Sequence, residues 1–226
     1  MRHTRTALAA GFAALIVPAT IDAQDHRFGA GYHAGAVWFS PLNPDAQQVG
    51  VETVSDIELA PGWVAGLQFE NWFGSGRAGG RIGAAFTTRN LSIPGEDDRD
   101  VDVWMLDAAF MLRLLGPHRL NVVAPYIVGG AGLVGYGLRS DVETHIPAGA
   151  VYDGDNDARF APMGGIGFDI LTGWRWDDEP IGIRIEATDH VMLESPFRDI
   201  ETGDRLGMIH NVRITLGLFT GFGVLR

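Results

Sequence analysis

Large apolar residues alternate with glycine and polar residues along much of the chain. Between residues 27 and 39, one set of alternate positions is apolar: Phe28, Ala30, Tyr32, Ala34, Ala36 and Trp38. The other set is mostly glycine or polar: Arg27, Gly29, Gly31, His33, Gly35, Val37 and Phe39. Successive side chains of a β-strand point to opposite faces, so a period of two indicates a strand. The pattern therefore predicts a strand with one apolar face and one face of small or polar residues.

The same alternation recurs along the rest of the chain and predicts an all-β fold. Eight strands are predicted, at residues 27–39, 63–73, 78–88, 101–115, 122–138, 160–172, 181–188 and 209–222. Short connections follow the second, fourth and sixth strands, at 74–77, 116–120 and 173–179. Long polar connections follow the first, third, fifth and seventh strands, at 40–62, 89–100, 139–159 and 189–208. Because this asymmetry is typical of barrels in membranes, we predict an eight-stranded antiparallel up-and-down transmembrane β-barrel.

The first residues indicate export. Arg2 and Arg5 precede an apolar stretch at 7–17, and a small residue, Ala23, offers a cleavage site. This is the three-part pattern of a signal peptide, so we predict a signal peptide at 1–23 and a barrel domain at 24–226. No later segment is apolar for 18 residues without glycine, proline or a charge, so no transmembrane helix is predicted. The expected location is the outer membrane of a Gram-negative cell.

The charges within the strands fall mostly in the phase of the glycines. Four acids and four bases share this phase: Glu70, Asp107, Asp169, Glu186, Arg81, Arg113, Arg184 and Arg213. A buried charge is costly unless a partner and hydrogen bonds replace its lost water. The balance therefore predicts an ionic network inside the barrel, with pairs on neighbouring strands, such as Arg184 or Arg213 with Glu186 or Asp169. The favoured role of this network is structural, to hold the barrel rigid. The alternative role is to line a narrow ion path.

All six tryptophans lie at or just beyond predicted strand ends. Three are toward the long loops and three toward the short turns, respectively Trp38, Trp63 and Trp104, and Trp72, Trp174 and Trp176. Two aromatic girdles of this kind mark the two interfaces of a barrel in lipid. A water-soluble lipocalin-like barrel, whose apolar face lines a ligand cavity, is the alternative that alternation alone leaves open.

Several short motifs resemble the outer-membrane β-barrel domain family that includes OmpA-like and opacity-type small barrels. Ala-Pro-Tyr at 124–126, followed by Gly129, Gly130 and Gly132, is similar to the fifth strand of that family. Segments 165–169 and 183–186, with Asp189, are similar to its sixth and seventh strands. The resemblance implies a membrane barrel that outer-membrane assembly machinery inserts. Members usually finish on an aromatic residue, whereas here Phe222 is followed by four further residues.

The long loops are acidic. Asp153, Asp155 and Asp157 are spaced like the start of a calcium loop, but Ala158 follows instead of glycine and no glutamate closes the loop. A solvated acidic loop is therefore the main expectation and a metal site the lesser one. Divalent ions could bridge these loops to lipopolysaccharide phosphates. The net charge of −11 argues against nucleic acid as a partner, because phosphate binding needs a basic surface.

The functional expectation is a non-enzymatic barrel, without a cofactor, that has a structural or surface-interaction role. It would contact outer-membrane lipids and lipopolysaccharide. A narrow ion or small-solute channel is an alternative, as is a soluble ligand-binding barrel. A lipid-modifying enzyme is a third, because His190 and His210 top two strands with Asp189, Glu194 and Ser195 close in sequence. A hydrolytic triad needs a nucleophile beside a base that a third group orients, and no family motif of that kind is present.

Overall fold

The computed structural model describes residues 27–42, 57–73, 76–92, 98–115, 123–137, 150–152, 158–176, 179–199 and 207–220. The predicted signal peptide and the candidate metal ligands Asp153, Asp155 and Asp157 lie outside these residues. Within the described ranges, no helix is long and apolar enough to cross a membrane.

Alternating sequence patterns become long β-strands. The eight long strands are β1 Arg27–Phe39, β3 Gly62–Phe73, β4 Ala78–Ser92, β5 Arg99–Arg113, β6 Val123–Gly137, β8 Ala158–Trp176, β9 Glu179–Met192 and β11 Ile209–Thr220. Three short strands lie in the long connections: β2 Glu58–Leu59, β7 Ala150–Tyr152 and β10 Phe197–Asp199. β2 pairs with β4, and β7 pairs with β10, so two of the long connections meet in a small sheet of their own.

The long strands form one closed antiparallel sheet. Each pairs with its neighbour in chain order from β1 to β11, and β1 pairs with β11 to complete the ring. Closure gives every long strand a partner on both sides, which satisfies backbone groups that lipid cannot hydrogen-bond. The predicted eight-stranded antiparallel barrel is confirmed.

The register sets the tilt of the strands. A path of directly opposed residues leaves β1 and returns to it: Phe28, Asn71, Gly80, Phe110, Gly129, Gly164, Asp189, Val212 and Trp38. After one circuit of the barrel, the path meets β1 again at Trp38, ten residues beyond Phe28, so the closed sheet has a stagger of ten residues. Ten residues rising ~3.3 Å each along strands tilted by ~40° span about 25 Å along the barrel axis. That height matches the apolar band of a barrel in the outer membrane.

The connection between β8 and β9 is shorter than predicted. The sequence suggests a turn at 173–179, but β8 continues to Trp176 and β9 begins at Glu179. Leu171 pairs with Gly182, whereas Arg175 pairs with Pro180, so the register shifts between them. The Thr172 hydroxyl donates to the carbonyl of Ile181 at 2.6 Å. A bulge between Leu171 and Arg175 thus lets β8 and β9 stay paired beyond Gly173, where the sequence predicts a turn.

The turn between β3 and β4 depends on a glycine. Gly76 has a φ of 71°. Its N–H donates to the carbonyl of Phe73 at 2.8 Å. A residue with a Cβ rarely adopts this left-handed conformation, so glycine permits the tight return of the chain. This turn also places the Gly76 carbonyl beside Arg113 in the lumen.

Candidate functional site: an ionic lumen beneath an apolar cap

The exterior of the barrel is apolar. Phe28 and Trp63 are 74% and 76% exposed, and the large side chains that share their face are also exposed. The opposite set of each strand is buried and contains the ionic residues. A soluble lipocalin-like barrel would have its apolar face inward, so that alternative is wrong for this chain.

Outward tryptophans lie at both ends of the barrel. Trp38 and Trp63 are exposed at the loop-side ends of β1 and β3, and Trp104 is half-buried and faces outward on β5. Trp174 is exposed in the bulged end of β8, on the turn side. The side chain of Trp176 lies outside the described residues.

Trp72 corrects the predicted girdle. Its side chain is fully buried in the lumen, where its Nε1 donates to Glu70 Oε1 at 3.0 Å. The Arg113 guanidinium lies 3.8 Å from the centre of its ring. Trp72 shares the inward phase of Gln68 and Glu70, so the period of the strand, rather than proximity to the strand end, decides its direction.

The eight ionic side chains named from the sequence all point into the lumen, and each residue is at most 5% exposed. Four of them form a chain near the turn side. Arg184 Nε and Nη2 donate to the two oxygens of Asp169 at 2.8 and 3.1 Å. Arg184 Nη1 donates to Glu70 at 2.7 Å, and Arg113 Nη2 donates to Asp169 at 3.1 Å. Two arginines therefore neutralise two carboxylates in this group.

The other four form a second neutral group nearer the middle of the barrel. Arg81 Nη1 donates to Glu186 Oε2 at 2.5 Å, and its Nη2 lies 3.6 Å from Asp107 Oδ1. Arg213 Nη2 lies 3.4 Å from Asp107 Oδ2. Two bases again meet two acids, so each group satisfies the charge balance that burial requires.

Most of these pairs cross the lumen. Arg184 and Asp169 are direct partners on adjacent strands, which is one of the predicted pairings. Arg213 contacts Asp107 on the far wall instead of Glu186 or Asp169, and Glu186 contacts Arg81 across the barrel. The prediction of pairing between neighbouring strands is therefore wrong for these contacts. An eight-stranded barrel is narrow enough for long side chains to meet across its axis.

Tyr126 and two histidines belong to the same interior, although sequence reasoning did not place them there. Tyr126 Oη donates to Glu186 Oε2 at 2.6 Å. A Cβ at Gly167 would lie 2.3 Å from the Tyr126 ring, so glycine on β8 makes room for it. His33 is mostly buried on β1. His190 is fully buried, with Nε2 3.5 Å from Asp107 Oδ2. Each of the three residues lies at an inward position in the alternation of its strand, and this was the sequence feature that could have identified them.

The enzymatic grouping suggested by the sequence is formed only in part: His210 Nδ1 lies 2.6 Å from Asp189 Oδ2, but His190 and Ser195 lie elsewhere. His190 points into the lumen, whereas His210 on the next strand points outward. Ser195 is buried, and its hydroxyl donates to the carbonyl of Leu42. A nucleophile must lie beside its base, so His190, His210 and Ser195 do not make one site.

An apolar cluster fills the loop-side part of the lumen. Its members come from the barrel wall and from the long connections: Val37, Leu42, Ile57, Leu59, Val64, Ala85, Leu91, Val101, Val103, Met105, Val134, Tyr136, Ala161, Met192, Phe197 and Ile209. The Leu42 N–H donates to the carbonyl of Ile57 at 2.8 Å, which ties two loop segments together. We call this cluster the apolar cap. It lies above the two ionic groups. Buried polar residues such as Thr87, Arg159 and Asn211 adjoin it, and a second, smaller cluster of buried apolar residues lies among the ionic groups: Trp72, Met111, Tyr126, Val128 and Met163.

The lumen offers little for a metal ion. In the described part of the chain, no group of three or more histidines and carboxylates is arranged to hold one. The carboxylates of the ionic groups already accept hydrogen bonds from arginines.

Comparisons with known proteins give structural similarities only. No protein-family model matches the chain, and neither does a curated protein sequence. Neisserial surface protein A is 10% identical, with a TM-score of 0.45 over 86% of this chain and 97% of that one. The outer membrane protein OprG from Pseudomonas aeruginosa is 13% identical, with a TM-score of 0.43 over 86% and 95%. Outer Membrane Protein W from E. coli is 14% identical, with a TM-score of 0.39 over 88% and 99%.

At TM-scores below 0.5, these similarities add nothing to the fold assignment, which rests on the strand pairing of this chain. Closed pairing, an apolar exterior and a charged interior are together the features of a transmembrane barrel. The chain has the architecture of a small eight-stranded outer-membrane β-barrel.

Proposed function

We propose that the protein is a non-enzymatic barrel of the Gram-negative outer membrane that contributes to envelope integrity or to surface interactions through its long loops. The observation that carries this proposal is the filled lumen. Paired charges occupy the middle and turn side, and the apolar cap occupies the loop side. A barrel filled in this way works as a rigid support for its loops.

The cap argues against the channel alternative. An ion crossing the barrel would have to leave water and pass among Val37, Met105 and Val134, beside the buried Arg159 that pairs with Val134 in the sheet and would repel a cation. The ionic groups beneath are also engaged with one another. Conduction would require both layers to rearrange.

The loops are the part left for partners. Their acidic composition suits divalent ions that bridge to lipopolysaccharide phosphates, and assembly machinery of the outer membrane would insert the barrel. The contact with lipopolysaccharide is inferred from the acidic loops, and the contact with the assembly machinery from the proposed location in the outer membrane.

Membrane fractionation combined with planar-bilayer recording tests the proposal. We expect the protein in the outer-membrane fraction and no discrete conductance steps from the purified barrel, with a known porin as the positive control. Stable, reproducible steps would overturn the closed-lumen argument. Recovery of the mature protein in the soluble periplasm would overturn the location.

Mass spectrometry of the lipid A fraction tests the absence of enzymatic activity. Cells that produce the protein should have the same lipid A masses as cells that lack it. Loss or gain of an acyl chain that depends on the protein would contradict a non-enzymatic role.

A further inference from the structure

A histidine and a carboxylate meet on the outside of the barrel. Asp189 alternates on β9 with the inward residues Thr188 and His190, and His210 precedes the inward Asn211 on β11. His210 Nδ1 lies 2.6 Å from Asp189 Oδ2, and the N–H of Asn211 donates to Asp189 Oδ1 at 3.2 Å. The Asp189 side chain remains 32% exposed and that of His210 51% exposed. We call these two side chains the outer pair.

Asp189 lies at membrane depth. The path of directly opposed residues rises around the barrel from Phe28 to Trp38. On this path, Asp189 of β9 comes two strands before Trp38, because Asp189 opposes Val212 and Val212 opposes Trp38. Two of the eight steps correspond to about 6 Å below the level of Trp38. Other outward acids of the described strands, Asp100 and Asp102, lie beyond Trp104 toward the loops. Between the levels of Phe28 and Trp38, Asp189 is the one outward charged side chain among the described residues.

A carboxylate facing lipid is unfavourable, and ionisable residues at this depth mark functional sites. The imidazole and one backbone N–H offset part of the cost, but a third of the Asp189 side chain remains uncovered. A leucine would satisfy the same position at no electrostatic cost. An acid at this position points to a ligand that comes from the lipid side.

The outer pair presents hydrogen-bond acceptors. An ionised carboxylate only accepts, so His210 Nδ1 carries the proton of their hydrogen bond. The remaining lone pairs of Asp189 are further acceptors. The complementary ligand must supply donors, such as hydroxyl or amide N–H groups.

The wall beside Asp189 is open. Gly164 is its direct partner on β8, and Gly129 is the partner of Gly164 on β6. A Cβ built at either glycine would meet no atom within 4 Å. The exposed ring of Phe110 follows on β5. These positions form a shallow furrow between larger lipid-facing side chains, which suits an acyl chain.

We propose that the outer pair binds one outer-leaflet lipid whose acyl chains carry hydroxyl or amide groups near the headgroup, as the lipid A part of lipopolysaccharide does. Those groups donate to the carboxylate of Asp189, and an acyl chain covers Gly164 and Gly129. Depth favours this source, because a headgroup ammonium stays at the level of the interfacial tryptophans, above Asp189. This inference rests on the proposed location in the outer membrane.

Native mass spectrometry of the purified barrel, titrated with lipid A and separately with a diacyl phosphatidylethanolamine, tests the site. Asp189→Leu removes the acceptor, and Gly164→Leu fills the furrow. Gly173→Leu is the matched control, since Gly173 also lies on β8 with nothing within 4 Å of a built Cβ. We expect the wild-type protein and Gly173→Leu to retain one lipid A, and both site variants to bind it about tenfold more weakly.

Thermal unfolding of the same variants separates a binding role from a structural one. Asp189→Leu should fold and unfold like the wild type while binding lipid A about tenfold more weakly. Equal lipid A retention in Asp189→Leu and wild type would overturn the inference, as would preferential retention of phosphatidylethanolamine or cleavage of the bound lipid A. Failure of the wild-type barrel to insert into lipid would instead overturn the proposed function.

Discussion

The two layers of the lumen are enclosed by the same wall but are stabilised by different forces. In the ionic layer, Arg184 contacts Asp169 and Glu70 at fixed distances and angles, so each partner depends on the others. In the apolar cap, Met105 and its neighbours need only shape and volume. The comparison teaches that one alternating pattern can build a core held mainly by paired charges at one end and a core held mainly by packing at the other.

Removal of one ionic partner should have the largest effect. Arg184→Ala leaves Asp169 with one arginine and Glu70 without its salt bridge, both buried. We expect a loss of about 3–5 kcal/mol in the free energy of unfolding, the usual cost of breaking a buried pair. Urea unfolding in phospholipid vesicles measures it. The exposed turn residue Arg77 provides the control, and equal effects of Arg184→Ala and Arg77→Ala would contradict the role of the ionic layer.

Truncation in the cap should cost less. Met105→Ala removes a fully buried side chain without stranding a charge. We expect about 2–4 kcal/mol, from lost burial and the cavity left behind. Met105→Leu, which preserves most of the volume, should recover most of the loss in the same unfolding measurement. If Leu and Ala at this position were equally destabilising, the cap would not depend on packing.

The smallest expected effect compares two tryptophans on one strand. Trp72→Phe loses the hydrogen bond to Glu70 and weakens the contact with Arg113, for about 1.5 kcal/mol. Trp63→Phe keeps an aromatic ring toward lipid and should change stability by less than about 0.5 kcal/mol. Heat-dependent migration in detergent gels ranks the two variants. A larger effect at Trp63 would reverse the assignment of their faces.

Strand period predicted much of this molecule. The eight strands and the inward direction of the eight charges follow from residues of one kind recurring at every second position, and the closed barrel follows from the alternation of short and long connections. Trp72 follows the same rule. It shares the strand phase of Glu70, which indicates an inward side chain, but its position at a strand end led to the wrong prediction that it belongs to an aromatic girdle.

The ion pairs that cross the lumen could not be predicted from the sequence. Which arginine meets which acid depends on the ten-residue stagger of the closed sheet, and that quantity appears only when all eight registers are known. Arg81 and Glu186 are 105 residues apart in sequence, and no local pattern connects them. The apolar cap was equally hidden, because its loop members Leu42, Ile57 and Phe197 lie outside the alternating segments.

Tryptophan fluorescence in vesicles with brominated acyl chains tests most directly which face meets lipid. Two single-tryptophan proteins, retaining Trp63 or Trp72 with phenylalanine at the other five sites, provide the comparison. Bromine quenches a ring that it contacts, so strong quenching of Trp63 and little quenching of Trp72 are expected. Strong quenching of Trp72, with Trp63 unaffected, would contradict an apolar exterior around an ionic lumen.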